Sequence, residues 1–198
     1  MPLVVPPPPQ ESVQVLRSGL AVLTQRGEFS RVIRRARPEQ LNATLSHAVY
    51  TAPLSVAAEG SLEQSTLTGW RYLIRAGDDV VASAETMLRD DGTYVFAEVN
   101  YGPFVRGTLD AITVAERAVE GTPEPYELRL LNIPAIYLMA VWLVAVDSER
   151  SSSSYIPSAP APDTLEANRV YEEGEWITAI QRLAAAVPAL EPNDPLGG

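Results

Sequence analysis

Cysteine and lysine are both missing from this chain, and histidine occurs once. Without cysteine there is no disulfide framework, no thiolate nucleophile and no cysteine-ligated zinc. Without lysine there is no Walker lysine, no Schiff-base amine and no pyridoxal-phosphate anchor, since all 15 basic residues are arginine. A Ser-His-Asp triad would have to use His47, and no G-x-S-x-G elbow accompanies it. Neither G-x-G-x-x-G nor H-E-x-x-H occurs, so dinucleotide binding and zincin chemistry are not indicated. The residues point to no cofactor and no metal.

Long apolar runs are scarce as well. The longest, residues 133–146 in "NIPAIYLMAVWLVAVDSER", covers 14 positions and is interrupted by Pro134, whereas a spanning helix needs about 20. No membrane span is expected. Both parities of the run are apolar, Tyr137, Met139, Val141 and Leu143 against Leu138, Ala140, Trp142 and Val144, which suits a strand covered on both faces. The N-terminal "MPLVVPPPPQ" has no basic n-region, so it does not read as a signal peptide and a cytoplasmic location is expected.

A net charge of -10 disfavours nucleic acid and anionic membranes as partners, because both would repel the field. The one basic cluster, "RVIRRAR" at 31–37, reads as the solvated face of a short helix. What is present is ordinary globular composition, 46% hydrophobic and 20% charged over 198 residues, enough for one domain with a substantial core. Residues 1–10 read as an extended proline-rich leader, 11–188 as a single domain and 189–198 as a flexible tail.

Along the chain, Val13, Leu16, Leu20 and Leu23 recur at helical spacing and predict a helix over 11–25, with a shorter one at 28–36. A strand at 47–51 and a loop through Thr66 follow. Three strand-like runs between 67 and 100, separated by Gly-Asp-Asp and Asp-Asp-Gly, predict a three-stranded meander. A helix at 108–120, a hairpin over 126–146, a polar loop and a helix at 172–186 complete the pattern. The expected fold is α+β: an antiparallel sheet of five or six strands with about three helices mainly on one face.

The meander brings chemistry together. An Asp91-Gly92 type I′ turn sets Glu85 across from Glu98. A three-residue loop at 77–79, preferred over a two-residue Gly77-Asp78 turn because it keeps the apolar positions on one face, sets Arg71 beside Glu85. The row Arg71, Glu85, Glu98 reads first as an ion-pair ladder on a solvated face, worth little. Its sharper readings are a paired-carboxylate site of a hydrolase or lyase, with Arg71 or His47 assisting, and a hard-cation site using Asn100. A small-ligand carrier would line an apolar pocket with Trp70, Tyr72 and Trp142. The reading preferred from the sequence is a non-catalytic protein that binds another protein, or itself as a homodimer, through Tyr137, Met139, Val141 and Trp142. "NYGPF" at 100–104 sits where a strand hands over to a helix, a place where loops often carry function, and a tight turn enforced by Gly102 and Pro103 explains it equally well.

Overall fold

The computed structural model describes residues 3–26, 41–146 and 153–188. The expected helix at 28–36, the basic cluster and the tail at 189–198 lie outside the described residues. Among these described residues nine strands form one mixed sheet: β1 (Leu3–Val4), β2 (Leu41–Thr51), β3 (Thr66–Ala76), β4 (Asp79–Leu88), β5 (Tyr94–Asn100), β6 (Tyr126–Ile133), β7 (Leu138–Ala145), β8 (Ser153–Pro157) and β9 (Tyr171–Glu172). Four described α-helices accompany them: α1 (Gln10–Gln25), α2 (Leu54–Glu59), α3 (Pro103–Ala118) and α4 (Glu173–Ala185). The spatial order is β5-β4-β3-β2-β6-β7-β8-β9, with β1 beside β6.

This overturns the expected antiparallel sheet of five or six strands. Two antiparallel limbs, β2 to β5 and β6 to β9, meet at a parallel pair in which Val49 lies beside Leu130 and Thr51 beside Asn132. Within each limb, strands that follow one another in sequence pair antiparallel, as expected. The parallel junction arises because α3 carries the chain back from the outer edge, β5, to the centre, and the sequence contains no local signal for where a returning strand inserts. Strand β8 lies inside the expected polar loop: its serines hid Tyr155 and Ile156, both buried, while Ser153 accepts a 3.0 Å hydrogen bond from Trp142 Nε1. The two-residue strands β1 and β9 are too short to carry a period.

Three of the four described α-helices share one face of the sheet, in line with helices mainly on one face, and α3 takes the other. α1 packs over Trp70, Tyr72, Ile74 and Ala84, and α4 with α2 packs over Trp142, Tyr155 and Leu138; Tyr50 joins both clusters, so these helices share a face. α3 packs on the other, over Leu73, Leu130, Val141 and Ile156. Strand β7 is thus sandwiched, as its two apolar parities required. The apolar run is a central strand with a turn at its head, and no described helix is long and apolar enough to cross a membrane.

Close approaches fix the helices in place. In α1, Ser12 Oγ lies 2.6 Å from both Tyr72 Oη and Thr86 Oγ1, a buried hydroxyl trio that satisfies three polar groups at once. About two turns further on, Gly19 lets the Phe96 ring sit against the helix backbone, where any Cβ would collide with it. Gly107 does the same for α3 against the backbone of Ala159.

Candidate functional site

Both hairpins of the first limb reach the expected pairing by a different route. The β3–β4 turn is the two-residue Gly77-Asp78, with Ala76 opposite Asp79, and a bulge at Val81 then restores Ile74 to Ala82 and Arg71 to Glu85. At the β4–β5 turn the amide of Arg89 donates to Thr93 O (2.9 Å) around a three-residue loop closed by Gly92 at φ 82°. Leu88 therefore faces Tyr94 and Thr86 faces Phe96, and a bulge at Ala97 brings Glu85 opposite Glu98. Each turn shifts the register by one residue and each bulge shifts it back. The apolar pattern decides the register at the strand centres, since a one-residue slip there would expose the core face.

Strand β2 extends the row: His47 pairs with Arg71, so His47, Arg71, Glu85 and Glu98 run across four adjacent strands on the face that α3 covers. Arg71 Nε donates to Glu85 Oε1 at 2.7 Å, and its Nη1 reaches Thr108 Oγ1 on α3 at 3.2 Å. The Asn100 amide donates to Glu98 Oε1 (2.7 Å) and, more weakly, to Glu85 Oε1 (3.4 Å). A donor therefore sits between the two carboxylates. The solvated ladder expected here is corrected by burial: the side chains of Arg71 and Glu85 are 8% and 19% exposed. His47 is buried, and among the described residues neither of its ring nitrogens has a hydrogen-bond partner. Burial, and then the neighbouring Arg71 guanidinium, push its pKa from 6.5 down to about 4.

The outer end of the row opens into a cleft of about 340 Å³, bounded by Glu98, Asn100, Phe104, Asn132, Tyr137 and Met139. A 3₁₀ turn, Pro134–Ile136, heads β7 and ends at Tyr137, whose backbone is left-handed (φ 51°, ψ 41°) and whose amide donates to Pro134 O at 3.0 Å. That conformation costs a non-glycine residue roughly 1 kcal/mol, and it throws the Tyr137 side chain outward, 87% exposed. Phe104, in the first turn of α3, is 48% exposed. Gly102 at φ 86° followed by Pro103 sets that turn.

Of the expected partner-binding residues, Tyr137 and the half-buried Met139 reach this cleft, while Val141 and Trp142 are buried in the core on opposite faces of β7. Trp70 and Tyr72 are sealed under α1, and Trp142 belongs to a separate aromatic stack, so the three do not line one pocket. A second, wider groove of about 680 Å³ runs between α1 and β5 along Val15, Val22, Val95 and Phe96. Among the described residues no group of three or more acidic, histidine or cysteine side chains is arranged to hold a metal. Phe104 belongs to the stretch "NYGPF" whose position at a strand-to-helix junction was legible in the sequence. Asn132 and Pro134 sit beside the row through the parallel junction, which had no local signal. Compared with protein-family models, curated proteins and solved structures, the chain matches none.

Proposed function

We propose that the chain is a non-catalytic binding protein that docks a segment of another protein on the half-covered face of its sheet, in the cleft between Glu98 and Tyr137. The observation that carries this reading is the pair of exposed aromatics, Tyr137 and Phe104, held at the rim of a cleft whose floor is a buried ion pair. Aromatic anchors around a desolvated polar floor are what hot spots of protein interfaces consist of. One sheet face carries α1, α2 and α4, whereas the other carries α3 alone among the described helices, so a docked segment would complete the second layer.

A hydrolase or lyase working through Glu85 and Glu98 has less support. Glu85 is committed to Arg71, Asn100 separates the carboxylates, and His47 lies too deep to exchange protons with a substrate. Panning a displayed random-peptide library against the full chain tests the docking reading. Enriched peptides should lose at least about tenfold in affinity on Tyr137→Ala, a typical hot-spot loss, with the unfolding midpoint unchanged. Peptides that bind that variant equally well would remove the cleft from consideration.

Self-association is a second reading, favoured by β5. Its seven residues form the outer edge of the sheet with one charged side chain, Glu98, beside the apolar groove under α1. Such an edge is open to strand addition unless guarded, and the bulge at Ala97 guards only its middle. Sedimentation at about 50 μM, where a specific interface of ordinary affinity is occupied, should give a dimer that Val95→Lys dissociates. A monomer at that concentration ends this reading.

A further inference from the structure

We infer that the docked segment presents an arginine side chain, seated between the Glu98 carboxylate and the rings of Tyr137 and Phe104; this rests on the docking reading above. The chain twice builds the same arrangement from its own residues. Arg129 lies over the rings of Tyr50 (4.8 Å) and Trp142 (5.1 Å) while its Nε contacts Glu127 Oε1 at 2.6 Å. Arg169 lies over Tyr171 (4.3 Å) and contacts Glu175 at 2.7 Å. In both, a guanidinium meets a ring on its flat side and a carboxylate on its edge, which is how a planar, weakly hydrated cation is held without burying unpaired charge.

The cleft carries the rings and the carboxylate, and its own Arg71 is bound to Glu85; among the described residues no arginine pairs with Glu98 or lies over Tyr137 or Phe104. Arg71 is matched by Glu85, so among the described residues the Asn100 amide is the one partner of the exposed Glu98 carboxylate. Of the cleft's three charged side chains two cancel, leaving one negative charge in a chain of net charge -10, which draws cations from solution. An anionic anchor would be attracted by the N-terminal end of α3 yet would meet Glu98 and Glu85 together. Lysine would satisfy the carboxylate but stack less well, because its ammonium is a compact, strongly hydrated charge.

The test uses peptides enriched on the full chain that are sensitive to Tyr137→Ala, resynthesised with the anchor arginine replaced by lysine or by citrulline, its neutral isostere. Citrulline should weaken binding about tenfold, the value of one charge-assisted pair at a partly open site, and lysine less. On Glu98→Gln, an exposed and nearly isosteric change, arginine and citrulline peptides should bind within about twofold of one another if the charge contact is what distinguishes them. Tyr137-dependent peptides that lack a basic residue, or an arginine preference that survives Glu98→Gln, would overturn the arginine anchor and leave the docking reading standing. Peptides indifferent to Tyr137→Ala, or no enrichment, would overturn both.

Discussion

Each limb of the sheet carries a four-residue row across its strands, and the two rows have opposite chemistry. On β2 to β5 it is His47, Arg71, Glu85 and Glu98; on β6 to β9 it is Arg129, Trp142, Tyr155 and Tyr171. The aromatic row is closed by α4, whose Trp176 stacks on Tyr155 at 5.0 Å with nearly parallel planes, and Tyr155 in turn stacks on Trp142. Among the described elements, the charged row is covered by α3 at its inner end, where Thr108 meets Arg71. Aromatic side chains gain free energy from full cover, so the second limb is finished as a core. Ionised groups lose hydration under cover, so the first limb stays open where its outermost carboxylate lies. Openness and charge occur together, and that is why the candidate site falls on the first limb.

The comparison can be broken most severely at the aromatic row. Trp176 is fully buried, so Trp176→Ala should cost about 4 kcal/mol through lost contacts and a cavity, read as a fall in the denaturant midpoint. An equally large loss for any exposed residue of the charged row would mean that the two rows do not differ as described.

Acid should act on the charged row and spare the aromatic one. His47 titrates at about 4 in the fold against 6.5 when unperturbed, so the unfolded chain takes up the proton first as pH falls. Its contribution to stability is intact above pH 6.5, declines as pH falls toward 4, and totals about 3 kcal/mol. Denaturation of His47→Leu at pH 7, 5.5 and 4 should lack this component of the pH dependence; identical curves for variant and parent would refute the assignment.

Removing the cation should have an intermediate effect. Arg71→Ala leaves Glu85 largely buried and unpaired, a cost of about 2 kcal/mol, between that of an exposed pair and a fully buried one. Glu98→Gln in that background should recover part of the loss by relieving carboxylate repulsion. A double-mutant cycle with no coupling among positions 71, 85 and 98 would contradict the row.

The smallest stability change is expected at the cleft rim. Glycine accepts the left-handed backbone of residue 137 without steric cost, so Tyr137→Gly should alter stability by less than about 1 kcal/mol, in the stabilising direction, while abolishing binding at the cleft. A clear destabilisation would assign Tyr137 to the fold instead of the site.

Much of this molecule follows from the linear chain. Period-2 and period-3.6 patterns placed α1, the meander, the 126–146 hairpin and α4 within a few residues, and pattern consistency paired Arg71 with Glu85 and Glu85 with Glu98 even though both turns were assigned the wrong length. Those features are local, or are decided by which face a side chain must occupy. The sequence did not reveal the parallel seam between Val49 and Leu130, the strand hidden in "SSYIP", or that α3 is the helix on the second face. Each of these depends on what a distant segment covers, and a residue's own neighbours carry no record of that. For the same reason Val141 and Trp142 looked like surface in excess of one helical layer, when a second layer buries them. The composition excluded cysteine and lysine chemistry outright, and hydrophobic alternation set the row of charges. Tertiary structure alone decided which part of that row would be buried, because burial is a property of the whole packed chain and charge is a property of each residue.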